Sequence, residues 1–176
     1  MDLSDDHSIV DPSRFELLLG THGQVLHAYL ARRAPAAADD LLAEVWLVAF
    51  QARDRFDPGQ GNVRGWLFGV ARNVLYAHRR REAARAPTAS DPEDDVWAAV
   101  DARLDAAALA PAMRAALGDL TAAERELLLL IAWEQLTPTE AAQVVGIPAA
   151  TARTRLHRAR ERMRSHPAMI TEGSKP

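Results

Sequence analysis

Cysteine is absent from the chain. That excludes disulfides, thiolate nucleophiles and the commonest zinc sites, and it fits a reducing compartment. Lysine is nearly absent: Lys175 is the only one, so arginine carries almost all of the positive charge. No apolar run approaches the ~18 residues of a membrane span. The start, Met1-Asp-Leu-Ser-Asp-Asp, is acidic where a signal peptide is basic. We therefore expect neither export nor membrane insertion, and a cytoplasmic location. The six histidines show no H-x-x-x-H spacing and no obvious carboxylate partner, so no metal is expected. No nucleotide-binding loop or catalytic carboxylate pair is visible, which points away from cofactors and from enzymes. Strand-like alternation is missing as well.

What is present is helical. A hydrophobic fraction of 48% in 176 residues is ample for packed cores, in one domain or two small ones. Ala, Leu, Arg and Glu dominate, and the apolar spacing gives an all-α reading. A first helix starts at Asp11-Pro12 with Phe15, Leu18, Leu19, Val25, Leu26, Tyr29 and Leu30 on its apolar face; Gly20 and Gly23 allow a bend. A second, 38–52, buries Leu42, Val45, Trp46, Ala49 and Phe50. After the turn Asp57-Pro-Gly-Gln-Gly61, Asn62 caps a third helix over 63–84, with Trp66, Leu67, Val70, Ala71 and Val74 inside. These make a first domain, 11–85. The boundary falls at Arg85-Ala-Pro-Thr-Ala-Ser-Asp-Pro92, and a connector, 86–107, carries a short helix bearing Val96, Trp97, Val100 and Leu104. Helices 111–118, 122–135, 138–145 and 149–165 form a second domain, 108–166.

The net charge of −3 becomes informative once it is resolved along the chain. Arginines gather at 72–85 and 153–164, while acid gathers at 2–11 and at 91–95, in the flexible connector. Two cationic surfaces separated by an acidic stretch suit a protein that touches DNA twice. Extended, the dozen irregular residues of the connector reach at most ~40 Å, against ~34–36 Å for one turn of B-DNA.

The last forty residues carry most of the meaning. Thr137-Pro-Thr-Glu140 is a capping box with proline at the first helical position, and Gly146 ends that helix. A second helix follows after Ile147-Pro148. This is the helix-turn-helix pattern, whose second helix enters the major groove. In that helix Ala152, Leu156, Ala159 and Met163 form one buried stripe. Thr151, Arg153, Thr154, Arg155, His157 and Arg158 are left on the outer face, with chemistries suited to phosphates and base edges. Arg160, Arg162 and Arg164 read as solvated or close to phosphate.

With these residues in view, the chain resembles a bacterial RNA polymerase sigma factor of the extracytoplasmic-function (ECF) group. Asp39-Asp-Leu-Leu-Ala-Glu-Val-Trp46 is similar to the family's polymerase-binding helix. The run from Phe56-Asp-Pro-Gly-Gln-Gly to Trp66-Leu-Phe-Gly-Val-Ala-Arg-Asn73, followed by His78-Arg-Arg-Arg81, is similar to its minus-ten reading and melting segment. Leu120-Thr-Ala-Ala-Glu-Arg-Glu-Leu-Leu-Leu-Leu130 opens the second domain, and Arg153-Thr-Arg-Leu-His-Arg-Ala-Arg160 resembles the minus-thirty-five helix. The resemblance implies that Asp39, Asp40 and Glu44 face core polymerase. It also implies that Phe56, Asn62 and Asn73 border a pocket for unstacked bases, and that Arg72, Arg79, Arg80 and Arg81 contact the DNA backbone. Trp66, between Val63 and Val70, reads as core. An anti-sigma partner is implied too, and the acids at 91–95 could shield an arginine surface.

Two rival readings fit parts of the chain. A stand-alone helix-turn-helix regulator predicts a dimer on a palindromic site, whereas a sigma factor is expected to be monomeric when free and to bind DNA poorly alone. A helical adaptor using 97–104 and the acidic connector predicts no DNA contact, and leaves 137–164 without a purpose.

Overall fold

The computed structural model describes residues 11–85, 110–167 and 169. The connector helix with Val96, Trp97, Val100 and Leu104, and the acids at 91–95, lie outside the described residues. Seven α-helices and no strands occur among the described residues: α1 Pro12–Ala31, α2 Ala38–Ala52, α3 Val63–Arg85, α4 Ala110–Gly118, α5 Ala122–Ala132, α6 Pro138–Val145 and α7 Ala149–Ser165. The chain divides into two compact units, Met1–Ala89 and Ser90–Pro176.

In the first unit, α1, α2 and α3 pack against one another. Leu26, Tyr29 and Leu30 of α1, Leu41, Val45 and Ala49 of α2, and Leu67, Phe68, Ala71 and Leu75 of α3 are all buried. Burying each large side chain stabilises the unit by roughly 1.5–3 kcal/mol. Aromatic edges fix how the helices meet. Phe15 lies edge-on to Trp46 at 5.9 Å and to Phe50 at 5.3 Å, and Tyr29 meets Phe68 at 5.5 Å. Arg33 is buried with its guanidinium 4.0 Å from the Tyr29 ring centre.

Helix phase departs from the sequence expectation in places. The buried stripe of α2 is Ala38, Leu41, Val45, Ala49, so Leu41 rather than Leu42 lies in the core, and Phe50 is exposed on one side. Leu41 and Leu42 are adjacent and only one can face inward; the spacing to Ala38, Val45 and Ala49 selects the first. In α1, Leu19 and Val25 are exposed, because the three successive leucines at 17–19 cannot share one face. Helix α1 also runs unbroken through Gly20 and Gly23. Trp66 is half-buried rather than fully interior.

The second unit is tied together by its helix ends. Thr121 and Thr137 each close a complete capping box, with Glu124 and Glu140. Arg125 donates to the carbonyls of Leu117, Gly118 and Leu120 at 3.0–3.2 Å, tying α5 to the end of α4 and the turn after it. At the end of α6, Gly146 takes the left-handed conformation (φ 74°, ψ 37°), its amide donates to Gln143 O, and the Ile147 amide donates to Ala142 O at 3.0 Å. This Schellman arrangement turns the chain into α7.

These backbones give opposite expectations for glycine substitutions. A Cβ at Gly146 would meet nothing within 4 Å, so Gly146→Ala should destabilise through its positive φ alone, by about 1–2 kcal/mol. Gly20→Ala and Gly23→Ala, in open space on a regular helix, should each stabilise by about 0.5–1 kcal/mol. Denaturant unfolding of the full chain checks both signs.

Candidate polymerase and nucleic-acid interfaces

The turn at Gly146 sets the start of α7, and the stripe Ala152, Leu156, Ala159 sets its roll. Two of those three residues are alanine, which lets α7 lie close to its neighbours; Met163 completes the stripe, half-buried against Leu117, Leu120 and Leu129. The opposite side presents Arg153, Thr154, His157 and Arg158, exposed, flanked by half-buried Thr151 and Arg155. Of the six residues expected to read DNA, four therefore occupy the outer side of one helix, and Thr151 and Arg155 lie at its edges. The Thr154 hydroxyl donates to Ala150 O at 3.1 Å, which commits its proton to its own helix.

Beneath this face lies a contact that the sequence did not announce. The Glu124 side chain is only 7% exposed. Its Oε2 accepts from the Thr121 amide at 3.0 Å, from the Thr121 hydroxyl at 2.8 Å and from Arg162 Nη1 at 2.7 Å. Burial by itself would raise the Glu124 carboxyl. The Thr121 hydrogen bonds and the charges of Arg162 and Arg158 outweigh it, and hold the group below the usual carboxylate range. Arg162 is thus engaged with α5 rather than merely solvated, and Arg164 pairs with Glu161 at 2.7 Å. Only the capping box was legible beforehand; Glu124 and Arg162 stand 38 positions apart.

In the first unit, α2 carries Asp39 and Asp40, both exposed, and Glu44, half-buried. Asp39 Oδ1 lies 3.1 Å from His27 Nε2. Glu44 receives Arg81 Nη2 at 3.1 and 3.3 Å, so a polymerase-facing candidate and a DNA-facing candidate are joined. The loop before α3 is internally satisfied. Asp57 accepts from the Gly59 amide and from Gln60 Nε2, both at 2.9 Å, and Asn62 Oδ1 accepts from the Gly65 amide at 2.9 Å. Phe56, half-buried, rests against Trp66 with ring centres 5.5 Å apart. Asn73 is exposed, and Arg72 lies 4.5 Å from the Tyr76 ring centre.

Arg79 requires a correction. It is 4% exposed and donates to Arg33 O at 3.3 Å, because α3 turns that side toward the end of α1. It is an interior residue and not a surface cation, whereas Arg80 and Arg81 are exposed. The histidines need one too. His78 lies 3.3 Å from Glu82 one helical turn on, and His166 lies 3.2 Å from Asp119, so carboxylate partners do exist. No three such side chains converge as a metal site among the described residues. No helix among them is long and apolar enough to cross a membrane.

Comparison with known proteins agrees with this architecture. Sigma-70 region 2 matches residues 18–85 and Sigma-70 region 4 matches residues 111–163. The ECF RNA polymerase sigma factor RpoE of Cereibacter sphaeroides is 31% identical, over 78% of this chain and 74% of that protein. The ECF RNA polymerase sigma factor SigC of Mycobacterium tuberculosis is 33% identical, over 71% of this chain and 67% of that one. Among solved structures, CnrH in complex with the cytosolic domain of CnrY has the same fold (TM-score 0.56, 24% identity, covering 94% of this chain and 92% of that one). So has the sigma factor RpoE of Bartonella quintana in complex with the anti-sigma factor NepR (TM-score 0.58, 22% identity, covering 92% and 99%). An all-helical chain with a region 2 unit followed by a region 4 unit is an initiation factor of transcription, and this chain belongs to the ECF group of RNA polymerase sigma factors. It binds core polymerase and directs it to promoters; it is not a stand-alone regulator.

The Glu124 contact makes a signed prediction. Because its folded pKa is depressed, Glu124 contributes stability above its unfolded pKa, and that contribution is lost as pH falls through the folded value. Glu124→Gln should cost about 1–3 kcal/mol at about pH 7. Its melting midpoint should also fall less on acidification than that of the wild type. Circular dichroism melts across a pH series of the full chain measure both, and a variant as stable as the wild type at neutral pH would remove the interlock.

Proposed function

We propose that the outer face of α7 reads the minus-thirty-five element while α2, the 56–62 loop and α3 serve polymerase docking and minus-ten capture. The observation that carries the reading is the gathering of Arg153, Thr154, His157 and Arg158 on the solvent side, with Thr151 and Arg155 at its edges, of a helix that follows a Gly146 turn. Arg153, Arg155 and Arg158 suit guanine edges or phosphates. Thr154, with its hydroxyl proton given to Ala150, offers its methyl to thymine. His157 on that face, and Thr151 at its margin, suit phosphate or base contact.

In the first unit, Phe56 and the Asn62 and Asn73 amides border the region assigned to bases leaving the stack. Arg72, Arg80 and Arg81 serve the backbone. Asp39, Asp40 and Glu44 give α2 an acidic strip suited to a basic surface of core polymerase. The domain roles follow as 11–85 for polymerase and the minus-ten element, 86–107 as connector and 108–166 for the minus-thirty-five element. The protein supplies positioning, base readout and capture rather than catalysis, and works without a cofactor, in the cytoplasm, as a monomer when free. An anti-sigma protein is a further proposed partner, by likeness to the Bartonella quintana sigma factor captured with the anti-sigma factor NepR.

Initiation from a promoter library by core RNA polymerase, with and without the protein, tests this reading. Sequence-selective transcripts should appear only on its addition. Arg158→Gln should either relax specificity at one upstream base pair, at about 1–3 kcal/mol, or lower the salt slope of promoter binding by about 1. Arg162→Gln should leave that slope unchanged, since its guanidinium is held by Glu124. Equal slope losses for both variants would contradict the assignment.

A further inference from the structure

We propose that the Arg81–Glu44 ion pair couples polymerase binding to DNA binding. In the free protein Glu44 holds Arg81; docking of α2 on a cationic surface of core polymerase claims the carboxylate and releases the guanidinium to a DNA phosphate. The inference rests on the roles proposed above for α2 and α3.

The geometry places one contact across the two functions. Arg81 Nη2 approaches both Glu44 oxygens, at 3.1 and 3.3 Å, and joins α3 to α2 over 37 positions of sequence. Neither side chain is sealed in: Arg81 is 51% exposed and Glu44 38%. Both are therefore reachable by an incoming partner without unpacking the core. Closed, the pair shows neither partner a net charge. Opened, it adds a negative charge beside Asp40 on α2 and a positive charge beside Arg80 on α3, both of which are exposed.

Magnitude favours exchange over permanence. An exposed ion pair shifts an equilibrium by only about 1.5–5-fold, so a surface of several charges can outcompete it. A buried pair would be too costly to split. Each partner that opens the contact removes that cost for the other, and the coupling is reciprocal by linkage. A purely structural pair behaves differently: breaking it loosens α2 against α3 and weakens polymerase binding.

The two accounts differ in sign for one variant. Full-length wild type, Arg81→Gln, Glu44→Gln and Arg85→Gln would be titrated, fluorescently labelled, onto core RNA polymerase without DNA. Removing Arg81 should tighten core binding by about 1.5–5-fold, because Glu44 no longer has to be freed. Glu44→Gln should weaken it, and Arg85→Gln, which removes the same charge at the end of α3, should leave it unchanged. The Arg81→Gln holoenzyme should bind a random-sequence single strand more weakly, with a salt slope lower by about 1. Core binding by Arg81→Gln that is unchanged or weaker, while Glu44→Gln still weakens it, overturns the coupling and leaves the docking face standing. If Glu44→Gln has no effect on core binding, the docking face falls, and the coupling with it. Coincident melts establish that the variants are folded. Should Arg81→Gln melt early, Arg81→Lys, which keeps the charge but loses the guanidinium fork, carries the same sign test at smaller amplitude.

Discussion

A carboxylate that stays charged out of water must be fully partnered, or its burial destabilises the fold. Glu124 meets that condition with donors from two directions: Thr121 at the start of its own helix and Arg162 near the end of α7. In the region 4 unit this contact joins α5 to α7, beside the apolar packing of α7 on Leu117, Leu120 and Leu129. Ala152 and Ala159 bring α7 close but bury little area, and Leu156 is the one large side chain among the three fully buried positions of the helix. The near end of α7 is set by the Gly146 turn and the far end by Glu124. Between them the direction of the arginine face is fixed, and a base-reading arginine is useful only when its helix is held at a defined tilt and roll.

The first unit shows how far a count of charges overstates an interface. Four of the five arginines at 72–85 were assigned to one DNA-backbone surface in the sequence. In the fold they have four different neighbourhoods: Arg72 over Tyr76, Arg79 inside against the end of α1, Arg81 on Glu44, and Arg80 exposed. Helix geometry sorts them, since four consecutive positions from His78 point around the full circumference. One of the positions 78–81 had to face inward, and the carbonyl of Arg33 gives Arg79 its partner there.

Much of this was legible in the chain, and what was legible was local. The two T-x-x-E boxes, Pro138, Gly146 and Asn62 each act within a few residues, and each marks a helix boundary where the structure has one. Helix phase was less legible wherever apolar residues adjoin, as at Leu17–Leu18–Leu19 and Leu41–Leu42, since neighbouring positions do not decide which residue turns inward. Pairs between distant positions left no trace. Nothing near Glu124 points to Arg162, and nothing near Glu44 points to Arg81, so an acid read as a helix cap and another read as a docking charge each had a second task. The outer face of α7 was visible because six polar positions and one buried stripe repeat on the same helical period.

The arginine-rich surface of α7 has a consequence for how such a protein can be governed. Lys175 is the chain's only lysine and lies beyond the described residues. A surface whose charge resides wholly in guanidinium groups offers no amine to acylate, and methylation of arginine leaves the charge in place. Its cations are fixed at synthesis. Restraint that leaves them intact comes from occlusion by another molecule or from the number of copies made.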